Sequence, residues 1–227
     1  MKNLYNALLL KQLYLLKNLG YNYTKSAICT IDAKSQLTLP NEIQALRQQA
    51  LNCHLCELSK YRKKVVFGEG NPNAQLMFIS EPPSAAEDSS GHPFAGRSGE
   101  MLEKMIVNVL KLERSDIYLT NIIKCRPPNN RLPNSMEINS CYPYLQKQLE
   151  IISPSIIVTL GKEAYRYLTA DETPLLQIRG TIVSYGKYTV IPTFHPSYLL
   201  RNPSAKKDVL VDLQKIKALL EQNTQGA

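Results

Sequence analysis

The sequence predicts an α/β fold in which a parallel sheet is covered by helices on both faces. Short apolar runs such as SIIVTL at 155–160 have the length of buried strands, and they alternate with stretches of helical periodicity. Parallel strands need long connections that helices usually supply, so this alternation is typical of such a sheet. A chain of 227 residues is long enough to bury one good core.

The predicted elements follow one another along the chain. Strands are expected over 75–79, 116–123 and 155–160, and 183–194 is expected to form a hairpin or two strands around Gly186. Helices are expected over 98–111, 137–152, 161–168 and 208–221.

Two segments are expected: an N-terminal helical extension and linker over 1–50, and a single domain over 51–222. Residues 3–19 carry leucines at helical spacing, and a polar stretch follows over 20–40. A second helix is expected to begin near Asn41, as its N-cap after Pro40, and to run towards Cys53. The leucine-rich helix either caps the domain or recruits a partner protein.

Charge and hydropathy narrow the class of partner. The formal net charge is +8, which favours a polyanion, with nucleic acid ahead of membrane, although a generic basic surface remains an alternative. No apolar run reaches the roughly 18 residues that suggest a membrane span. Lysines interrupt the apolar N-terminus and no cleavage site follows, so a helix and a cytoplasmic location are expected.

Four of the five cysteines are grouped in a way that suits a metal site. Cys53 and Cys56 form a C-x2-C pair, and Cys125 and Cys141 bound a loop with three prolines. Four thiolates suit a tetrahedral metal or an iron–sulfur cluster, and spacing does not separate zinc from a cluster. A redox C-x2-C pair and buried unligated thiols are weaker alternatives, and Cys29 is treated as a spare thiol.

Polar side chains follow three of the predicted strands. Glu81 follows the first strand, Asn121 ends the second, and His195 follows the last. Ligands of such sheets bind outside the carboxyl ends of the strands, so a carboxylate, an amide and an imidazole are expected to converge there. Neither GxxxxGK[ST] nor GxGxxG occurs, so no nucleotide-phosphate loop is expected.

Five motifs in order give the sequence a family resemblance. They are C-x2-C, EPPSAAED with GHPFAGRSG, TNIIKCRPPNNRLP, a further cysteine, and HPSYLLRNP. Together they resemble the family 4 uracil-DNA glycosylases, the iron–sulfur branch of their superfamily, over about Leu51 to Leu220. The resemblance implies an α/β/α sandwich around a central four-stranded parallel sheet. It also implies a 4Fe–4S cluster on Cys53, Cys56, Cys125 and Cys141.

The activity that the resemblance implies is monofunctional hydrolysis of the N-glycosidic bond of uracil in single- or double-stranded DNA. The product is free uracil and an abasic site. The pocket motifs contain no obvious lysine nucleophile, so no lyase step is expected. The protein is expected to act as a monomer, and a partner recruited by the leucine-rich N-terminal helix would be a repair or replication protein. A non-enzymatic nucleic-acid-binding module or a metal-bound structural subunit is the alternative, and covalent capture of DNA is disfavoured because the CRPP segment has no histidine.

The resemblance also assigns roles in the base pocket. Phe94 would stack on the flipped base, Asn121 would read its edge, and His195 would donate to uracil O2. Glu81 would orient the attacking water, and the pocket would be completed by Ser80 and Pro82. The corresponding motif usually reads GEAPG, whereas this chain has SEPPS at 80–84.

Each of these residues also has a plainer interpretation. Phe94 alone would be taken for a core residue, although its loop position makes core burial less expected. Asn121 alone would be taken for a turn cap. Glu87 and Asp88 are alternatives to Glu81 as the catalytic carboxylate, but a helix-start or solvated acid pair is favoured for them.

Basic and polar residues beside the pocket are expected to contact DNA. Phosphate contacts are expected from Lys124, Arg126 and Arg131. The HPSYLLRNP segment is expected to press on the DNA strand through Ser197, Arg201 and Asn202. Leu199 or Leu200 is a candidate wedge in the base stack, and at least one of the two is expected in the core.

Overall fold

A six-stranded sheet forms the centre of the structure, a computed structural model that describes residues 38–225. The strands are β1 (Glu69–Gly70), β2 (Leu76–Ser80), β3 (Tyr118–Asn121), β4 (Ile156–Leu160), β5 (Val183–Tyr185) and β6 (Tyr188–Thr193). Their order is β1-β3-β2-β4-β6-β5. The inner four strands are parallel, which confirms the predicted four-stranded core, and the two outer strands pair antiparallel with their neighbours.

Eight α-helices connect and cover the strands within the described residues. They are α1 (Ile43–Leu51), α2 (Ala85–Ser90), α3 (Arg97–Met105), α4 (Ser135–Ile152), α5 (Lys162–Thr169), α6 (Leu175–Ile178), α7 (Pro196–Arg201) and α8 (Lys206–Gln225). A π-helical turn over Ile106–Leu110 extends α3, and 3₁₀ turns cover Glu57–Lys60, Arg114–Asp116, Pro128–Asn130 and Pro203–Ala205. No helix among residues 38–225 has the length and apolar character needed to cross a membrane.

The inner strands are apolar on both sides because helices cover both faces of the sheet. Every residue of β2, β3 and β4 is buried. Phe78, Leu119 and Val158 pack with side chains of α3 and α8 on one face. On the other face, α4 contributes Gln148, which bonds Tyr118 and Thr120 of β3. This arrangement confirms the α/β/α sandwich.

The predicted hairpin over 183–194 is present as β5 and β6. Tyr185 pairs with Tyr188 across a turn in which Gly186 has a φ of +58°. Glycine adopts this left-handed conformation without steric cost, which explains why the strands reverse there.

The second predicted helix is present as α1, but its N-cap is Glu42 and the prediction of Asn41 was wrong. The carboxylate of Glu42 accepts hydrogen bonds from the backbone N–H groups of Gln44 and Ala45 at 3.0 and 3.1 Å. The predicted helix over 3–19 and Cys29 lie outside the described residues. The compact unit that contains the sheet begins at Leu39. The boundary near residue 50 stays a prediction.

Candidate active site and cysteine cluster

The parallel register brings the carboxyl ends of the inner strands to one edge of the sheet. Ser80 pairs with Asn121 on β3 and with Leu160 on β4, and Leu160 pairs with Thr193 on β6. A cleft of about 340 Å³ opens beside this edge, within the range of roughly 300–1,000 Å³ usual for small-molecule sites. Its walls include Glu81, Pro82, Phe94, Glu163, His195 and Arg201.

Glu81 reaches the cleft from the first position after β2. The start of α5 lies against its carboxylate, with the backbone N–H of Glu163 directed towards it. Gly161 has a φ of +96°, and a Cβ at this position would lie 2.2 Å from Glu81 Oε1. Burial raises the pKa of Glu81, although the Glu163 N–H and the charge of Arg201 act in the opposite direction. The site therefore holds a carboxylate that binds a proton more readily than an exposed one.

Gly161 and Glu163 were missed by the sequence analysis. They follow β4, and the rule that directed attention to the ends of the other inner strands applies equally to this one. The run LGKE at 160–163 is the signal that would have found them.

His195 is the N-cap of α7. Its Nδ1 accepts a hydrogen bond from the backbone N–H of Ser197 at 3.1 Å, and the Ser197 hydroxyl lies 2.7 Å from the same atom. Its Nε2 lies 3.0 Å from Ser80 Oγ. Burial, with a smaller contribution from Arg201, lowers the pKa of His195 to about 4, so the imidazole is neutral near pH 7. Ser197, predicted to contact DNA, here orients the imidazole.

Phe94 forms a wall of the cleft and belongs to the core at once. Its side chain is 4% exposed and packs in the main hydrophobic cluster, so the expectation that its loop would keep it out of the core was wrong. Its ring is nearly parallel to that of His195, with 6.3 Å between centroids and 19° between planes. The residue has a φ of +56°, and its backbone N–H donates to Glu87 Oε1 at 2.7 Å.

Glu87 has the helix-start role that was favoured for it, whereas Asp88 is buried and bonds a distant segment, so the expectation of a solvated acid pair was wrong. Glu87 Oε2 accepts a hydrogen bond from the backbone N–H of Ser84 at 2.7 Å, which completes the capping box at the start of α2. Asp88 Oδ1 accepts from the backbone N–H of Lys63 at 2.9 Å. Glu81 is therefore the candidate carboxylate for chemistry.

Asn121 ends β3 and is fully buried. Its Nδ2 donates to the backbone carbonyl of Glu81 at 2.8 Å. A carbonyl only accepts, so the amide nitrogen must face it and Oδ1 must face the other way. Oδ1 is one of three buried side-chain polar atoms among the described residues that have no hydrogen-bond partner. Such an atom is well suited to accept a hydrogen bond from a ligand.

Lys124 does not contact phosphate, and the prediction that it does was wrong. Its side chain is 2% exposed. Its ammonium donates to Thr120 Oγ1 at 2.6 Å, to the carbonyl of Asn121 at 2.9 Å and to Gln148 Oε1 at 2.6 Å. Three acceptors satisfy all three ammonium protons, so Lys124 braces the end of β3 from inside the protein.

The other predicted DNA contacts lie at or near the surface. Arg131 makes a two-bond ion pair with Glu137, at 2.8 and 2.6 Å, and also lines the cleft. Arg126 donates to Asn130 Oδ1 at 2.8 Å, and Asn202 donates to the carbonyl of Tyr198 at 3.2 Å. No bound polyanion tests these contacts, which stay predictions.

The two leucines of the HPSYLLRNP segment differ in burial. Leu199 is 1% exposed and belongs to the main hydrophobic cluster, as expected for at least one of the pair. Leu200 is 37% exposed, which leaves it as the candidate wedge.

Cys53, Cys56, Cys125 and Cys141 line one cavity with mostly apolar walls. Within residues 38–225, no three His, Cys, Asp or Glu side chains are arranged to hold a single metal ion. The thiols therefore surround a space without converging on one ion position. Arg62 donates to Cys125 Sγ at 3.3 Å, and the backbone N–H of Lys124 donates to Cys141 Sγ at 3.2 Å. Donors to sulfur are the surroundings in which thiolates of an iron–sulfur cluster are stabilised.

Comparison with known proteins assigns the chain to a family. The model of the uracil DNA glycosylase superfamily matches residues 67–215. The chain is 38% identical over 187 residues to a type-4 uracil-DNA glycosylase of Sulfurisphaera tokodaii, covering 79% of the chain and 85% of that protein. It is 39% identical to one of Saccharolobus solfataricus, covering 79% and 87%. It is 38% identical to one of Thermotoga maritima, covering 79% and 95%.

Proposed function

Since the chain belongs to the uracil-DNA glycosylase superfamily, we propose that its cleft excises uracil from DNA by hydrolysis of the N-glycosidic bond. The observation that carries the assignment to this cleft is the unpartnered, buried carboxamide oxygen of Asn121, whose Nδ2 bonds the backbone carbonyl of Glu81. Glu81 lines the cleft together with Phe94 and His195. Chemistry on a base in a duplex requires the nucleotide to leave the stack and enter such a pocket.

Asn121 supplies the basis for choosing uracil over cytosine. Uracil N3–H is a donor that the free Oδ1 can accept, whereas cytosine N3 is an acceptor and would face that oxygen without a proton between them. The second hydrogen of Nδ2 remains for uracil O4, because the first is used by the carbonyl of Glu81. A buried polar site of this kind discriminates strongly, since the wrong base leaves polar groups unpaired.

His195 and Glu81 act on opposite charges of the reaction. As the glycosidic bond breaks, negative charge develops on the uracil ring, and the proton on Nε2 of the neutral His195 stabilises that charge at O2. Positive charge develops at C1′ of the sugar, which the carboxylate of Glu81 stabilises while it orients water for attack on that carbon. The hydroxyl group of the water is transferred to C1′. The remaining proton of the water neutralises the negative charge of the released uracil.

Cys53, Cys56, Cys125 and Cys141 are proposed to hold the 4Fe–4S cluster of the type-4 branch. Four thiols line one cavity, and Arg62 and a backbone N–H donate to two of the sulfurs, which suits the negative charge of thiolates that hold such a cluster. The cluster would join the loop after β3 to the segment after α1, and we assign it this structural role. A cytoplasmic location and a monomeric state are proposed with the function.

The DNA path is proposed to run over the rim of the cleft. Arg131 and Arg201 line it, and both are exposed. Their guanidinium groups would contact phosphates on either side of the flipped nucleotide. Arg126 and Asn202, which are close to them in sequence, would add further contacts. Such contacts set affinity and its salt dependence without choosing the base.

The test is a cleavage assay on oligonucleotides that carry one uracil, thymine or cytosine at the same position. The wild-type protein should release only uracil. Asn121→Ala and His195→Ala should each lower the rate by roughly 10²–10³-fold while DNA binding is kept. Asn223→Ala, at an exposed position on α8, is the matched control and should retain the rate. DNA binding by the wild type without any release of base would instead support a non-enzymatic module.

A further inference from the structure

The side chains of Ser80 and His195 form a pair that the motif pattern does not anticipate. The related motif usually has glycine where this chain has Ser80, so the 3.0 Å contact between Ser80 Oγ and His195 Nε2 depends on a side chain that glycine lacks. Ser80 is 2% exposed and ends β2 directly before Glu81.

The direction of the hydrogen bond follows from the other side of the ring. A backbone N–H can only donate, so Nδ1, which accepts from Ser197 N–H, carries no proton. The single proton of the neutral imidazole is therefore on Nε2, and it is donated to Ser80 Oγ. The hydroxyl proton of Ser80 then has no acceptor among the contacts that Ser80 Oγ makes with the described residues, which are limited to His195.

The register of the sheet places this hydroxyl beside Asn121. Ser80 and Asn121 are directly paired on neighbouring parallel strands, so their side chains extend from the same face of the sheet. Asn121 Oδ1 has no partner among the described residues, and β2, which carries Ser80, lies between β3 with Asn121 and β6, which His195 follows. A base whose N3–H reaches Oδ1 therefore brings an adjacent carbonyl oxygen towards Ser80.

We propose that Ser80 and His195 act as one donor unit in which His195 Nε2–H donates to Ser80 Oγ and the Ser80 hydroxyl donates to uracil O2. This inference rests on the proposed function of the cleft and refines it, because His195 then acts on the base through Ser80. The bond from Nε2 polarises the hydroxyl, which makes it a stronger donor as charge develops on the leaving base. The unit is assembled before the base arrives, so no donor has to be reoriented during the reaction.

The experiment compares single-turnover uracil release by wild type, Ser80→Ala and Ser80→Thr. Ser80→Ala should lower the maximal rate by roughly 10²–10³-fold with little change in the concentration for half-maximal rate, since the donor acts mainly in the transition state. Ser80→Thr keeps the hydroxyl and should restore most of the rate. Ser155→Ala, which removes a serine hydroxyl that bonds Gln75 at the other end of the sheet, should keep the wild-type rate.

A spectroscopic measurement separates this role from a loss of stability. In ¹⁵N-labelled protein, the Nε2–H signal of His195 should be visible in the wild type and should persist when free uracil is added. In Ser80→Ala it should shift or vanish, while Ser155→Ala should leave it unchanged. If wild type cleaves and Ser80→Ala cleaves equally fast, or Nδ1 carries the proton, the inference is overturned and the proposed function stands. If wild type releases no uracil, both fail.

Discussion

The carboxylate of Glu81 lies directly against the α-carbon of Gly161, so that a Cβ at residue 161 would lie 2.2 Å from Glu81 Oε1. Gly161, which follows β4, thus limits where the side chain of Glu81, which follows β2, can lie. The same turn presents the backbone N–H of Glu163 to the carboxylate. The candidate catalytic group is therefore held from two strands at once.

Gly161→Ala is expected to lower uracil release by at least about tenfold, because the added methyl group displaces the Glu81 carboxylate and a misplaced group of this kind costs up to roughly 10²-fold. Gly186→Ala is the matched control. Gly186 also has a positive φ, +58°, but has nothing within 4 Å of its added Cβ. Both variants should lose stability from backbone strain, and only Gly161→Ala should lose activity beyond that. Equal activity in the two would show that Gly161 serves the turn alone.

The acid limb of the pH–rate profile is expected to follow Glu81. Burial raises the pKa of this carboxyl above its ordinary value of 4.5, and the ionised form is the one that stabilises positive charge on the sugar. Activity should therefore fall as pH decreases through that raised pKa. His195, with a pKa of about 4, stays neutral over most of the range. The measurement is kcat/KM between pH 4 and pH 9 for wild type and Glu81→Gln. An unchanged acid limb in the weakly active glutamine variant would assign it to another group.

Lys124 and Arg201 are expected to respond differently to salt. Arg201→Ala should reduce the slope of log K for duplex binding against log salt concentration by about 0.9, the value for one lost phosphate contact. Lys124→Met should leave the slope unchanged and lower the free energy of unfolding by roughly 1–3 kcal/mol, because buried acceptors lose their donor. Binding titrations at several salt concentrations and denaturant unfolding measure the two effects. A smaller slope in Lys124→Met would indicate that Lys124 does contact a DNA phosphate.

The four grouped cysteines are expected to hold about four irons per chain when the protein is purified without oxygen. Cys141→Ser should lose iron and visible absorption and melt at a lower temperature, since metal binding contributes to folding where ligands come from distant segments. Cys29→Ser, at the thiol treated as spare, should keep the iron. One zinc per wild-type chain, without iron, would identify a different site in the same cavity.

The sequence predicted the meeting of Glu81, Asn121 and His195 because parallel strands carry their ends to a common edge. It could not predict the burial of Lys124. A lysine at the start of a basic, proline-rich loop is ordinarily exposed, and its partner Gln148 comes from a helix 24 residues later. The core burial of Phe94 was missed for the same reason. Its loop character was evident locally, but the cluster that encloses it is assembled from distant elements.

One carboxylate, that of Glu87, holds the amides of both Ser84 and Phe94. The first amide belongs to the entrance of α2 and the second to the aromatic wall of the cleft. Each oxygen of the carboxylate accepts one of the two amides, so Glu87 joins the aromatic wall of the cleft to the first turn of α2. The residue that was considered as an alternative acid for the chemistry thus supports the aromatic wall through its side chain.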